Sequence, residues 1–231
     1  MRDLLKKAID LIIERYWDDL PLDVIALKTE AYYTRVLARG VRDVYNGKAS
    51  ADDLLNTMIR LLDEQLRRAW NEGMRQNGLD PKTDMTDEWE QILQDIISNE
   101  FNYVEQFIAD VVEARDNGQP IEPLLTRVDL WASRYNEVVN RAILETAGEK
   151  DKLEWVLGRT EEHCVTCAAL AGTVATAQEW ATSGFRPQNP PNPMLECQGW
   201  RCDCELVPTD KRKTSNALDF LLELASNSHF P

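Results

Sequence analysis

The stretch that decides the architecture is GEKDKLEWVLGRTEEHCVTC, residues 148–167. Before it the chain reads as one amphipathic helix after another, and all five cysteines come after Gly148. Leu153 to Leu157 is a short apolar run, and Cys164-Val165-Thr166-Cys167 begins a different kind of structure. The change of texture places a domain boundary near Gly148. The expected plan is a helical domain over 1–150, a cysteine module over 151–210, and a linker with a short helix over 211–231.

Upstream, Leu4, Leu5, Ala8, Ile9, Ile12, Ile13 and Tyr16 recur at helical spacing, which predicts a helix from Arg2 to Trp17. Pro21 separates it from a second pattern, Leu22 to Tyr45, stopped by Asn46-Gly47. Ser50, three residues before Asp53, forms a capping-box start with Asp in place of Glu. The helix it opens runs through Leu54, Met58, Leu62, Leu66 and Trp70 and ends before Gly78-Leu79-Asp80-Pro81. Two more are predicted, Asp87 to Arg115 and Leu124 to Thr146. The fold class expected is mainly α, a long-helix N-terminal bundle or array followed by a small α+β cysteine-knuckle module. Glu100, Glu105, Asp110 and Glu113 offer carboxylates, but no Glu-x-x-His pair accompanies them, and they read as a solvated acidic face.

The net charge of −14 disfavours non-specific nucleic-acid binding, because an acidic chain repels phosphates. Lys211-Arg212-Lys213 is the one basic cluster and reads as a solvated linker. No apolar run approaches the ~20 residues that span a bilayer, so no membrane segment is expected. Charges in every turn of residues 1–20 argue against a secretory signal. In a reducing compartment, and with an odd count, five cysteines are not a disulfide framework.

Past Cys167, the run Ala168 to Val174 predicts a turn and then a strand. Thr176-x-x-Glu179 is a capping box for a short helix around Trp180, closed by Gly184. Pro187, Pro190, Pro191 and Pro193 make the next segment a loop. Cys197-Gln198-Gly199-Trp200-Arg201-Cys202-Asp203-Cys204 then leads into a strand at Glu205 to Pro208. A last helix is expected from Thr214 to Ser226.

Cys164-x-x-Cys167 is half of a zinc knuckle, since two intervening residues let a tight turn aim both sulfurs at one metal. Cys202 and Cys204 share a face if they lie on a strand. Four of the five residues Cys164, Cys167, Cys197, Cys202 and Cys204 are the expected ligands of a structural zinc, with His163 a further candidate. Buried reduced thiols and disulfides are the competing states. No catalytic residue is expected. The Cys-x-x-Cys lacks the βαβ context of a redox site, and His163 and Cys164, adjacent in sequence, diverge.

The segment from Trp155 to Pro208 resembles the C-terminal module of the Mu F-like head morphogenesis (minor head) proteins of tailed phages. Three pieces carry the resemblance. The first is Cys164-Val165-Thr166-Cys167 followed by Leu170-Ala171-Gly172-Thr173-Val174. The second is the Trp180 segment with its proline-rich loop. The third is Cys197-Gln198-Gly199-Trp200-Arg201-Cys202-Asp203-Cys204 running into a strand, similar to the family's closing Cys-Arg-Cys. The family's usual His-Pro before the closing cysteines is replaced here by Gln198-Gly199-Trp200, and its usual Arg between them by Asp203.

The resemblance implies a virion structural protein, not an enzyme. Such a protein associates with portal and/or capsid proteins during head assembly and DNA packaging or delivery. It is present in the host cytoplasm during assembly and then in the phage head. Contact with packaged DNA and self-association are compatible with that role. The alternative is a zinc-ribbon-type nucleic-acid-binding or regulatory module. The acidity, and the absence of interleaved basic and aromatic residues around the knuckle, count against it.

Overall fold

The computed structural model describes residues 22–159, 162–200 and 202–227. The helix expected at Arg2 to Trp17 lies outside the described residues. Four long helices follow: α1 (Leu22–Tyr45), α2 (Ala51–Gln76), α3 (Asp87–Asp116) and α4 (Glu122–Thr146). Their starts obey local chemistry. Ser50 Oγ accepts the Asp53 N–H while Asp53 Oδ2 accepts the Ser50 N–H, so each satisfies a backbone donor the helix leaves orphaned. Thr86 caps α3 through the Trp89 N–H, and Pro123 stands in the first turn of α4, where no N–H is needed. Gly78 takes a left-handed φ of 77° just past α2.

The helices form a bundle with two cores along its length. Toward one end Leu37, Val41, Met58, Phe107, Val111 and Trp131 pack together, with the Phe107 and Trp131 rings edge to face at 4.6 Å. Toward the other, Trp70, Met74, Leu93, Ile97, Tyr135 and Val138 meet. Gln65, fully buried between them, donates Nε2 to the Trp131 and Ala132 carbonyls of α4 at 3.0 and 2.9 Å. Glu100 departs from the solvated acidic face expected of α3. It is buried, and it pairs with Arg134, which also pairs with Glu137. Asp110 stays part-exposed on that face and pairs with Arg127.

The module is a three-stranded antiparallel sheet with short helices around it. Its elements are β1 (Lys152–Val156), α5 (Val165–Leu170), β2 (Val174–Thr176), α6 (Ala177–Ser183), β3 (Glu205–Pro208) and α7 (Ala217–Asn227), with strand order β2-β1-β3. Leu153 stands opposite Ala175 on one side and Pro208 on the other, and Trp155 opposite Leu206. Trp155, Trp180, Phe185 and Leu195 fill the core, and the Trp180 indole donates to the Leu153 carbonyl at 3.0 Å. Ile143 and Leu144 of α4 belong to this same core, so the last turns of the long helix serve the module directly.

Both sheet edges are covered. At β2, Thr214 exchanges hydrogen bonds with Val174, N–H to carbonyl and N–H to hydroxyl, each 2.9 Å. At β3, Asn140 of α4 accepts the Leu206 N–H at 2.9 Å. Covered edges offer no template for another strand. The basic segment is exposed, as expected of a solvated linker, and two of its lysines reach acidic partners on β1 and α6. Lys211 pairs with Glu154 and Lys213 with Glu179, each at 2.7 Å.

Candidate metal centre

Cys164 is the N-cap of α5, and its Sγ accepts the Cys167 N–H at 3.4 Å. The turn expected over this motif is therefore the opening of a six-residue helix, too short to leave a periodicity in the sequence. Cys197 begins a tight turn closed by the Trp200 N–H on its carbonyl at 2.9 Å. Cys202 and Cys204 arrive on the residues entering β3.

Asp203, between the last two cysteines, has a structural role. Its carboxylate accepts the Arg159 N–H, and a Cβ at Gly158 would lie 2.1 Å from its Cγ. Only glycine allows that approach between the two halves of the motif.

All five sulfurs converge. They form two groups of three, Cys164/Cys167/Cys197 and Cys167/Cys202/Cys204, each with every sulfur within 4.8 Å of the others. Cys167 belongs to both, is almost fully buried, and lies 3.9 Å from Cys202. Four thiolates tetrahedral about one zinc stand ~3.8 Å apart, given Zn–S bonds of about 2.3 Å. The Cys167–Cys202 separation meets that spacing. His163 falls in neither group.

The crowding sets the protonation pattern. Cys167 is pushed far up, chiefly by its contacts with the thiols of Cys197, Cys202 and Cys204, because it serves as the shared donor. Cys204 is pulled down to about 4, first by the Cys167 thiol, then by Cys202 and opposed by burial. Cys202 is lowered too, with Cys167 and then Cys197 as the main causes. Clustered soft sulfur donors seated against an apolar core fit a thiophilic ion. A site closed by thiolates stabilises a fold and leaves no position for substrate.

Residues outside the cysteines hold the loops in place. Glu196 accepts the Val165 N–H at 2.7 Å, and its own N–H donates to Thr166 Oγ1 at 3.2 Å, locking the Cys197 loop to the start of α5. Gln188 Nε2 donates to the Cys204 carbonyl at 2.9 Å. Nothing in the local sequence marks these partners, since each meets its target only through the fold.

The chain matches no protein-family model, no curated protein and no solved structure. No helix among the described residues is long and apolar enough to cross a membrane.

Proposed function

We propose that this protein is a non-enzymatic structural component of a tailed-phage head. In this reading it associates with portal and capsid proteins, and its cysteine module is stabilised by a bound zinc. The observation that carries the reading is the meeting of Cys164-x-x-Cys167 with Cys197, Cys202 and Cys204 in one cluster, across some thirty intervening residues. That is the arrangement in which the separated pieces of the Mu F-like motif make sense as one unit. The long helices supply extended surfaces for protein–protein contact, α3 alone running for 30 residues or ~45 Å.

Zinc is the ion the ligand chemistry favours, because thiolate sets in a closed site suit it. When bound it would cross-link α5 to the segment entering β3, each ligating thiol giving up its proton to solvent. The nucleic-acid reading draws no support from Lys211 and Lys213, whose ammonium groups are engaged by Glu154 and Glu179.

The test has two arms. Native mass spectrometry before and after a strong chelator is expected to show zinc on the untreated chain. Co-expression with the portal and capsid proteins of the same genome is expected to yield a complex stable to gel filtration. Zinc with no such complex would remove the head-protein reading and leave the metal centre standing. A complex without zinc would do the reverse.

A further inference from the structure

Two carboxamides outside the thiol cluster converge on one of its backbone atoms. Gln188 Nε2 lies 2.9 Å from the Cys204 carbonyl oxygen, and Asn140 Nδ2 lies 3.5 Å from it. Asn140 also accepts the Leu206 N–H through Oδ1 at 2.9 Å and donates to the Asn136 carbonyl at 3.0 Å. Both side chains are buried, Asn140 4% and Gln188 6% exposed. The segment that leads from Cys204 into β3 is thus gripped by a residue of α4 and by a residue of the proline-rich loop.

Gln188 adds a second, independent sign. Its backbone sits at φ 53°, in the left-handed region that side chains other than Gly and Asn avoid. A buried glutamine in this conformation, with its amide on a cysteine carbonyl, is over-determined by its surroundings and motivates a role for that contact.

We propose that Asn140 and Gln188 are positioning residues of the metal centre, which set the direction of the Cys204 sulfur by fixing the Cys204–Leu206 backbone. This rests on the reading of the cysteines as metal ligands. Outer partners of this kind hold ligands in the geometry a metal requires, and losing one costs about 10–100-fold in affinity. The assignment also ties the centre to the helical bundle, because Asn140 follows closely on Tyr135 and Val138 of the bundle core along α4.

The experiment is zinc affinity of the full chain by competition with a chromophoric chelator, alongside thermal unfolding of the zinc-free protein. Gln188→Gly relieves the backbone strain but removes the amide. Gln188→Met keeps the side-chain bulk without the donor. Asn140→Ala removes the clamp from α4. Leu66→Ala in the bundle core is the control for general destabilisation.

The expected result is a 10–100-fold weaker zinc affinity for the Gln188 and Asn140 variants and an unchanged affinity for Leu66→Ala, whatever each does to the unfolding temperature. Folded variants that bind zinc as the parent does would overturn the positioning role while leaving the metal centre intact. A parent chain that binds no zinc would overturn both.

Discussion

Gly73 of α2 and Ala142 of α4 mark a point where the two helix backbones come nearly into contact. A Cβ built on Gly73 would lie 2.5 Å from the Ala142 Cβ and 2.6 Å from the Val139 carbonyl oxygen. Helix propensity alone says that Gly73→Ala should stabilise α2 by ~1 kcal/mol. The contact reverses the sign, because neither a methyl group nor backbone can yield at that distance. Gly73→Ala is expected to destabilise the protein by about 1–3 kcal/mol in urea unfolding. Ala142→Gly should restore part of the loss in the double variant. A more stable single variant would mean that the helices do not meet there.

The paired groups at the middle of α4 lead to a second expectation. Arg134, 21% exposed at its side chain, pairs with Glu100 and Glu137, which are 8% and 9% exposed. Arg134→Met leaves two nearly buried carboxylates without their cation. The cost of orphaning a buried pair is about 3–5 kcal/mol, and chemical denaturation measures it directly. A loss under about 1 kcal/mol, the range of exposed pairs, would show that water reaches both carboxylates.

Glu72 offers a test with a definite pH sign. Burial is the main influence and raises its carboxyl above the usual range, with Gln76 and Arg75 only partly opposing it. The folded state therefore holds this proton more tightly than the unfolded state does. The stability this contributes is present below the unfolded carboxyl pKa and is lost as pH rises through the raised folded value. Glu72→Gln, which is neutral throughout, should raise the melting temperature at pH 7 relative to the parent. The advantage should vanish below about pH 4, where both side chains are uncharged. Equal stability of the two proteins at pH 7 would contradict the burial argument.

Within the thiol cluster the five cysteines are not equivalent. Cys167 belongs to both groups of three sulfurs, whereas Cys164 belongs to one. Cys167→Ser should abolish zinc retention after dialysis, because it removes a member of each group. Cys164→Ser should retain zinc at reduced affinity, because Cys167, Cys197, Cys202 and Cys204 remain. Zinc content measured by elemental analysis distinguishes the two, and parent-like zinc in Cys167→Ser would refute the shared role.

Much of the helical domain is legible in the amino-acid sequence. Leu22–Tyr45 coincides with its predicted span, and α2 begins immediately after the predicted cap at Ser50. Periodicity repeated over many turns averages out local exceptions, and Gly, Asn and Pro punctuate its ends. The Thr176-x-x-Glu179 box and Gly184 likewise set both ends of α6. Short elements carry no such signal. α5 is a helix of six residues, and its sequence reads equally as a turn. Glu100 looks like any surface carboxylate, because the Arg134 that pairs with it is 34 residues away and on another helix.

By itself, the sequence determined the long helices over the described residues and which residue type could hold a metal in the cysteine module. Those properties follow from local backbone preference, apolar spacing and the chemistry of sulfur, all of which act over a few residues. Only the tertiary structure decided that Cys167 is common to both sulfur groups, that Gly73 must lack a side chain, and that Asn140 reaches out of the bundle to hold Leu206 in β3. Each of these depends on the docking of segments distant in the chain. Packing sets that docking through many weak contacts at once, so no single residue pattern records it.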